Sequence, residues 1–204
     1  MKLIVFEGLD GAGKSTLIEA LKTHLEKNRQ SVVVTREPGG TVLGEELRHV
    51  LLNPKSEAPT PRAELLLYEA IRAQHVERVI LPALKSKKWV LCDRFVASSI
   101  AFQAGGRSIT KEKVEELNEF ATEGLKPDLT VLLDLSTQEA QSRMAARDLD
   151  RFESEKKDFH ERVRASYLEQ ARENREPWLV LDAKQSREEL FVKLRSYFEE
   201  KKWL

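Results

Sequence analysis

The chain has 204 residues, with 34 lysines and arginines against 34 aspartates and glutamates, and 41% of its residues are hydrophobic. This balance excludes a disordered segment and argues against a protein that coats nucleic acid, which would carry a basic excess. The single cysteine, Cys92, excludes a disulfide framework and any multi-cysteine metal site, and no apolar run approaches the roughly 20 residues that span a bilayer.

Short apolar runs alternate with amphipathic stretches along the chain. Leu3 to Phe6 is unbroken apolar, as in a strand covered on both faces, and it ends at Glu7, too soon for a signal peptide. After a glycine-rich turn, Leu17, Leu21 and Leu25 recur every four residues, with Ile18 widening the stripe of a helix. Ser31 to Thr35 is a second strand with three valines at its centre. Pro38-Gly39-Gly40 is a loop, and a short helix is expected from about Thr41 to Leu52. Thr60 followed by Pro61 is a helix start, with a capping hydroxyl and proline at the first helical position. That helix carries Leu65, Leu66, Tyr68, Ala70, Ile71 and Arg72 and is expected to kink or end at Pro82. Trp89 to Cys92 is a third strand that stops at Asp93-Arg94. Beyond Gly105-Gly106, Thr110 is expected to cap a helix with Val114, Leu117 and Phe120 on one face. Leu129 to Leu133 and Trp178 to Leu181 are the fourth and fifth strands. Ser136 with Glu139 and Ser186 with Glu189 have capping-box spacing, and the last helix is expected to bury Leu190, Leu194, Tyr197 and Phe198.

Apolar strands alternating with helices define an α/β protein: a parallel five-stranded sheet with helices on both faces, in a single domain. Between Arg143 and Arg175 about half the residues are charged, with both signs mixed. One reading is a solvated helix pair. The other is a lid whose arginines meet an anionic ligand when it closes. The four histidines, His24, His49, His75 and His160, lack metal-ligand spacing and are assigned to surface or packing, and Cys92 to a buried strand end.

Gly8-Leu9-Asp10-Gly11-Ala12-Gly13-Lys14-Ser15 fits G-x-x-x-x-G-K-[ST], directly after the first strand and opening the first helix. Glycines let backbone N–H groups turn inward around a polyphosphate, and the helix N-terminus adds a favourable dipole. Lys14 is assigned to the β- and γ-phosphates of a nucleoside triphosphate, and the Ser15 hydroxyl to Mg²⁺. The fold class is therefore of the P-loop NTPase type, with a short charged lid. There is no guanine-reading N-K-x-D, which favours a small kinase. Ligands of open parallel sheets bind beyond the carboxyl ends of the strands. Those ends carry Thr35-Arg36-Glu37-Pro38-Gly39-Gly40-Thr41 and Asp93-Arg94. Asp93 could hold Mg²⁺ directly or through water, and Arg94 could bridge donor and acceptor phosphates. The alternative is an Asp–Arg pair that merely closes the strand end.

In these motifs the chain resembles bacterial-type thymidylate kinases (dTMP kinases). The resemblance rests on Phe6-Glu7-Gly8 to Ser15-Thr16, Thr35 to Thr41, Asp93-Arg94-Phe95 with Ser98-Ser99, Lys126-Pro127-Asp128-Leu129-Thr130, and Asp158-Phe159-His160-Glu161-Arg162. It implies one P-loop kinase domain over 1–204, with a lid at about 143–157, that moves the γ-phosphoryl of ATP to dTMP on the way to dTTP. Implied ATP contacts are Gly8 through Thr16, with Arg147 and Arg151 from the lid. Arg151 is the chosen catalytic cation, beside Lys14, Arg94 and Asp10. For dTMP, the resemblance implies Asp10 near the sugar 3′-hydroxyl, Arg48 and Arg94 on the phosphate, and the Pro38 loop in contact. Tyr68 would stack on thymine, Arg72, Ser99 and Gln103 would read it, and Phe102 would lie against the deoxyribose. Tyr68 and Phe102 stand where the family more often has phenylalanine and tyrosine, and the lid is about one residue shorter. The resemblance further implies a cytoplasmic homodimer acting on small molecules, with no nucleic acid or membrane partner. Another nucleotide kinase, a nucleoside kinase accepting thymidine, and a non-catalytic ATP-gated module are the competing readings.

Overall fold

The computed structural model describes residues 1–144, 150–173 and 177–203. Five parallel strands, β1 (Leu3–Glu7), β2 (Val32–Arg36), β3 (Trp89–Asp93), β4 (Leu129–Asp134) and β5 (Trp178–Asp182), form one sheet in the order β2–β3–β1–β4–β5. Phe6 pairs with Asp93, and Asp93 with Arg36. The carboxyl ends of β1, β2 and β3 therefore lie level, and the motifs that follow them open on one edge.

Alternation along each strand sorts the side chains into two cores. Ile4, Phe6 and Leu91 face one side, against Leu17, Leu21 and Leu25 of α1 (Lys14–Lys27). Leu3, Val5, Val90 and Cys92 face the other, against Val76 and Ile80. Each fully buried leucine or isoleucine contributes about 1.5–3 kcal/mol relative to exposure. The three central strands are covered on both faces, as expected. The outer strands are not: Val34 on β2 and Val180 on β5 remain exposed, because no further strand or helix covers them completely.

The helices follow in order as α2 (Val42–Leu52), α3 (Pro61–His75), α4 (Leu81–Lys85), α5 (Val96–Ser99), α6 (Lys111–Thr122), α7 (Thr137–Met144), α8 (Lys157–Glu173) and α9 (Arg187–Glu200). Several local expectations need correction. Thr60 and Thr110 occupy N-cap positions but make no side-chain cap bond, whereas Thr41 accepts from Gly44 N–H at 3.0 Å. Ser186 and Glu189 form the full reciprocal box. Pro82 does not end its helix. A wide π turn over Val76–Ile80 precedes it, with Leu81 N–H reaching Val76 O, and this absorbs the register change next to the ring. Phe120 is 83% exposed; the buried face of α6 is Val114, Asn118, Ala121 and Thr122. Tyr197 is only half-buried.

Gly105 and Gly106 do not mark a turn. They lie in a π-helical stretch, Ile100–Gly106, where a side chain would strike α8: an added Cβ would sit 2.8 Å from Ser166 Cβ and 2.5 Å from the Phe159 ring. These glycines let α8 pack closely over the site. Within the charged stretch, α8 buries Phe159, His160, Val163, Tyr167 and Gln170 while its other face stays wet.

Candidate active site

The loop between β1 and α1 is built around glycines with positive φ. At Gly8 (φ 131°) a Cβ would lie 2.5 Å from Leu133 O, and Gly13 (φ 96°) turns the chain into α1. Leu9 and Ala12 are buried and tether the loop to the core. Ser15 and Thr16 stay exposed at the helix start, with their neighbours Gly11 and Gly13 on the open side of the loop. Lys14 is 6% exposed, and its Nζ donates to Gly8 O at 3.1 Å and Leu9 O at 3.2 Å. The ammonium thus lies folded over the loop, 3.6 Å from Asp10 Oδ1.

Asp10 also begins the second part of the site. It lines a cleft with Pro38, Arg48, Tyr68, Arg72, Arg94, Ser99, Phe102 and Gln103, every residue that the resemblance implied for the acceptor, and with Asp93. Arg94 donates to Asp10 Oδ1 at 2.9 Å; burial opposes the charge of its guanidinium, but Asp10, Tyr167, Asp93 and Glu7 together outweigh it, so its pKa lies well above the ordinary value. Arg48 donates to Pro38 O at 2.7 Å, with its pKa lowered by burial and by the charge of Arg36. Burial holds the Tyr68 phenol neutral, and the nearby Glu64 charge adds to the effect.

Arg72, only 1% exposed, is satisfied by the protein itself. Nε donates to Glu37 at 2.8 Å; NH1 faces Glu69, Ser99 Oγ and Asn118 Oδ1 at 2.6–2.8 Å; NH2 donates to Phe95 O at 3.1 Å. A guanidinium has five N–H protons. One NH2 hydrogen therefore remains for a ligand edge. Burial opposes its charge, but Glu37 and Glu69 raise its pKa overall. Gln103 donates to Glu64 Oε1 at 3.0 Å. Tyr68 and Arg72 share one face of α3, four residues apart.

The lid residues fall differently. Arg147 lies outside the described residues. The structure does not bring Arg151 to the phosphate loop: its guanidinium donates to the carbonyls of Asn53, Ser56 and Glu57, and its N–H to Leu52 O. Its carbonyl partners hold it on the turn between α2 and α3. Sequence reasoning missed three neighbours of the site. Phe152, 4% exposed, sits edge-on to Tyr68 and Phe102 with ring centroids 5.9 and 5.8 Å away. Asp150 lines the same cleft. Arg143 reaches from α7 to Gly11 O at 3.3 Å and Ala183 O at 2.9 Å. An aromatic or arginine inside a charged run gives no periodic signal, so only the fold reveals these placements.

Asp93 ends β3 with Oδ1 buried and, among the described residues, without a hydrogen-bond partner, and it shares a depression with Ser15. An orphaned carboxylate oxygen beside a phosphate-loop hydroxyl suits a hard divalent cation. Among the described residues no group of three or more histidine, cysteine or acidic side chains is arranged to hold a metal, so such an ion would depend on phosphate oxygens and water for most of its shell.

A family profile described as thymidylate kinase matches residues 6–193. A thymidylate kinase of Bdellovibrio bacteriovorus is 54% identical over 210 aligned positions, covering 100% of this chain and 98% of that one. A thymidylate kinase of an Exiguobacterium strain is 48% identical, over 90% of this chain and 87% of its own. The crystal structure of thymidylate kinase from Ehrlichia chaffeensis superposes with a TM-score of 0.78 at 31% identity, covering 97% of this chain and 98% of that one. With this agreement along its whole length, the chain belongs to the thymidylate kinase family.

Proposed function

We propose that the phosphate loop and the adjoining cleft hold ATP and dTMP end to end. The chain is an enzyme that transfers the γ-phosphoryl group of ATP to dTMP, giving dTDP and ADP, a step of dTTP synthesis. The observation that carries the assignment of sites is the bridge made by Asp10. It belongs to the phosphate loop, pairs with Arg94 in the cleft and lies 3.6 Å from Lys14. Two cations, one for each phosphate, are thus spaced by a single carboxylate.

Phosphoryl transfer asks the protein for alignment and positive charge rather than covalent chemistry. Lys14 turns from the loop carbonyls to the β- and γ-phosphates, and the loop amides bind the rest of the chain of phosphates. Arg94 and Arg48 hold the acceptor phosphate in line. Tyr68 stacks on thymine, the spare N–H of Arg72 reaches its edge, Ser99 and Gln103 complete the base pocket, and Phe102 packs against the deoxyribose where a 2′-hydroxyl would crowd it. Mg²⁺, held by Ser15 and Asp93, would neutralise charge on the transferring phosphates. The segment at about 143–157 is the lid of a single domain. Its arginines, Arg147 and Arg151, meet the ATP phosphates once Arg151 leaves the 53–57 turn, and closure excludes the water that would hydrolyse ATP.

Two further assignments complete the reading. The protein acts as a homodimer, supported by apolar side chains left exposed on the packed pair α2 and α3: Leu43, Val50 and Leu66. It works in the cytoplasm, where both nucleotides are found; among the described residues no helix is long and apolar enough to cross a membrane. A coupled assay with ATP and Mg²⁺ across dTMP, dUMP, UMP, CMP, AMP and thymidine tests the function. Preference for dTMP is expected. Turnover of thymidine in place of dTMP would reject the roles of Arg48 and Arg94, and absence of turnover with every acceptor would favour a non-catalytic module.

A further inference from the structure

We propose that Tyr167, on α8, is a positioning residue that sets the orientation of Arg94 by bracing it, together with Ser98 on the cleft wall and the buried Glu7. The proposal rests on the reading that Arg94 holds the dTMP phosphate. Arg94 has two sides. Toward the cleft, NH2 donates to Asp10. Its other terminal nitrogen, NH1, donates to Tyr167 Oη at 3.0 Å and to Ser98 Oγ, on the cleft wall, at 3.3 Å. Both hydroxyls lie against Glu7 Oε2, Tyr167 at 2.9 Å and Ser98 at 2.7 Å, and their own oxygens are 2.8 Å apart. Glu7 is 0% exposed, and its other oxygen accepts from Phe95 N–H at 2.9 Å.

Proton counting explains the arrangement. Two hydroxyl protons cannot serve three oxygen–oxygen contacts. If both go to Glu7, both hydroxyl oxygens turn lone pairs toward NH1, and the buried carboxylate acts on the guanidinium through them without touching it. A charge-assisted bond of this kind is stronger than a neutral one. Arg94 is also fixed in its backbone, at φ 69° with its N–H on Phe6 O. The side chain is therefore held at its root by β1 and at its head by the bracket. Asp10 is the partner that can yield to an incoming phosphate, because its side chain is 33% exposed whereas Glu7 is sealed. Glu7 and Ser98 sit inside motifs that carried no role for them, and Tyr167 sits in none. The close approach of α8 allowed by Gly105 and Gly106 is what delivers the phenol.

The test is a set of binding measurements by calorimetry on the full-length protein, which need no turnover. Tyr167→Phe keeps the ring and removes the hydroxyl. It is expected to weaken dTMP about tenfold, the size of one lost bond to a charged group. Thymidine, which lacks the phosphate, and ATP should each change by less than about twofold, since neither meets Arg94 through this bracket. In an Arg94→Ala background, Tyr167→Phe should then add nothing to the loss of dTMP affinity. Unchanged dTMP affinity in Tyr167→Phe, with a clear loss in Arg94→Ala, would overturn the proposal alone. Equal weakening of dTMP and thymidine would also overturn it, by making Tyr167 a structural residue. No loss of dTMP in Arg94→Ala would instead remove Arg94 from the acceptor site, and the proposal with it. Should Tyr167→Phe fail to fold, Ser98→Ala carries the same cycle, because it breaks the same bracket.

Discussion

Arg72→Met removes the charge at the sealed end of the cleft, proposed to receive the base, while keeping most of the side chain's bulk. In the native protein the guanidinium neutralises Glu37 and Glu69, whose side chains are only 3% and 7% exposed. Methionine leaves both carboxylates buried, and Ser99 and Asn118 lose a donor. His75 Nδ1 still faces Glu37 Oε1 at 2.9 Å, whereas Glu69 is left with the Ser99 hydroxyl. Breaking a buried ion pair by deleting one partner costs about 3–5 kcal/mol. At about 2–4 °C per kcal/mol for a chain of this size, melting should fall on the order of 10 °C. Thermal and urea denaturation at neutral pH measure this directly. The sign of the pH effect follows from Glu69. Burial already raises its pKa, and losing Arg72 raises it further. The folded variant then binds a proton that the unfolded chain does not, so the deficit against wild type should shrink as pH falls through the raised value. Glu69→Gln in the Arg72→Met background should restore part of the loss. A melting temperature within about 2 °C of wild type would refute the reasoning, as would a loss that Glu69→Gln leaves untouched.

Lys14→Ala should lower kcat by at least about 100-fold in the coupled assay, since a preorganised cation at the transferring group is lost, with little change in melting temperature. Phe102→Ala should open the wall beside the sugar and reduce the preference for dUMP over UMP, read as a ratio of kcat/KM, by about tenfold. Glu7 has its pKa raised by burial against the partial relief of Arg94, so native stability should decline as pH rises from the ordinary value of 4.5 to that raised value. Glu7→Gln should flatten stability against pH across that window, followed by urea denaturation at a series of pH values.

The strands and the phosphate loop were legible because each depends on neighbours in sequence. Leu3 to Phe6 needs only its own apolar run, and Gly8 to Ser15 only its own spacing. Of the residues lining the cleft, Asp10, Pro38, Arg94 and Ser99 were legible as motif members, while Arg48, Tyr68, Arg72, Phe102 and Gln103 came only from the resemblance; the sheet register explains why the strand-end motifs meet: Phe6, Asp93 and Arg36 are level. What could not be read depends on packing between distant segments. Gly105 and Gly106 look like turn residues until α8 is seen against them. Phe152 lies in a run dominated by charge, yet it closes the aromatic wall between Tyr68 and Phe102. The caps expected at Thr60 and Thr110 fail for a related reason: position at a helix start does not oblige the hydroxyl to turn inward.

The distribution of charge around the cleft adds a constraint on how it binds an anion. Three of its arginines already face carboxylates, while Arg48 donates to the Pro38 carbonyl. Arg36 is paired with Glu45, Arg72 with Glu37 and Glu69, and Arg94 with Asp10. A phosphate entering such a site must compete with carboxylates, and it can win only where the existing partner has access to water. Asp10 and Glu45 meet that condition and the carboxylates around Arg72 do not, so the two ends of the cleft are set for different work. The sealed end offers a fixed pattern of donors suited to a neutral base, whose binding requires no charge to move. The open end offers a cation that can exchange one carboxylate for one phosphate. On the proposed binding of dTMP, the exchange frees Asp10 beside Lys14, and the arrival of the acceptor then alters the electrostatics of the phosphate loop through a single side chain.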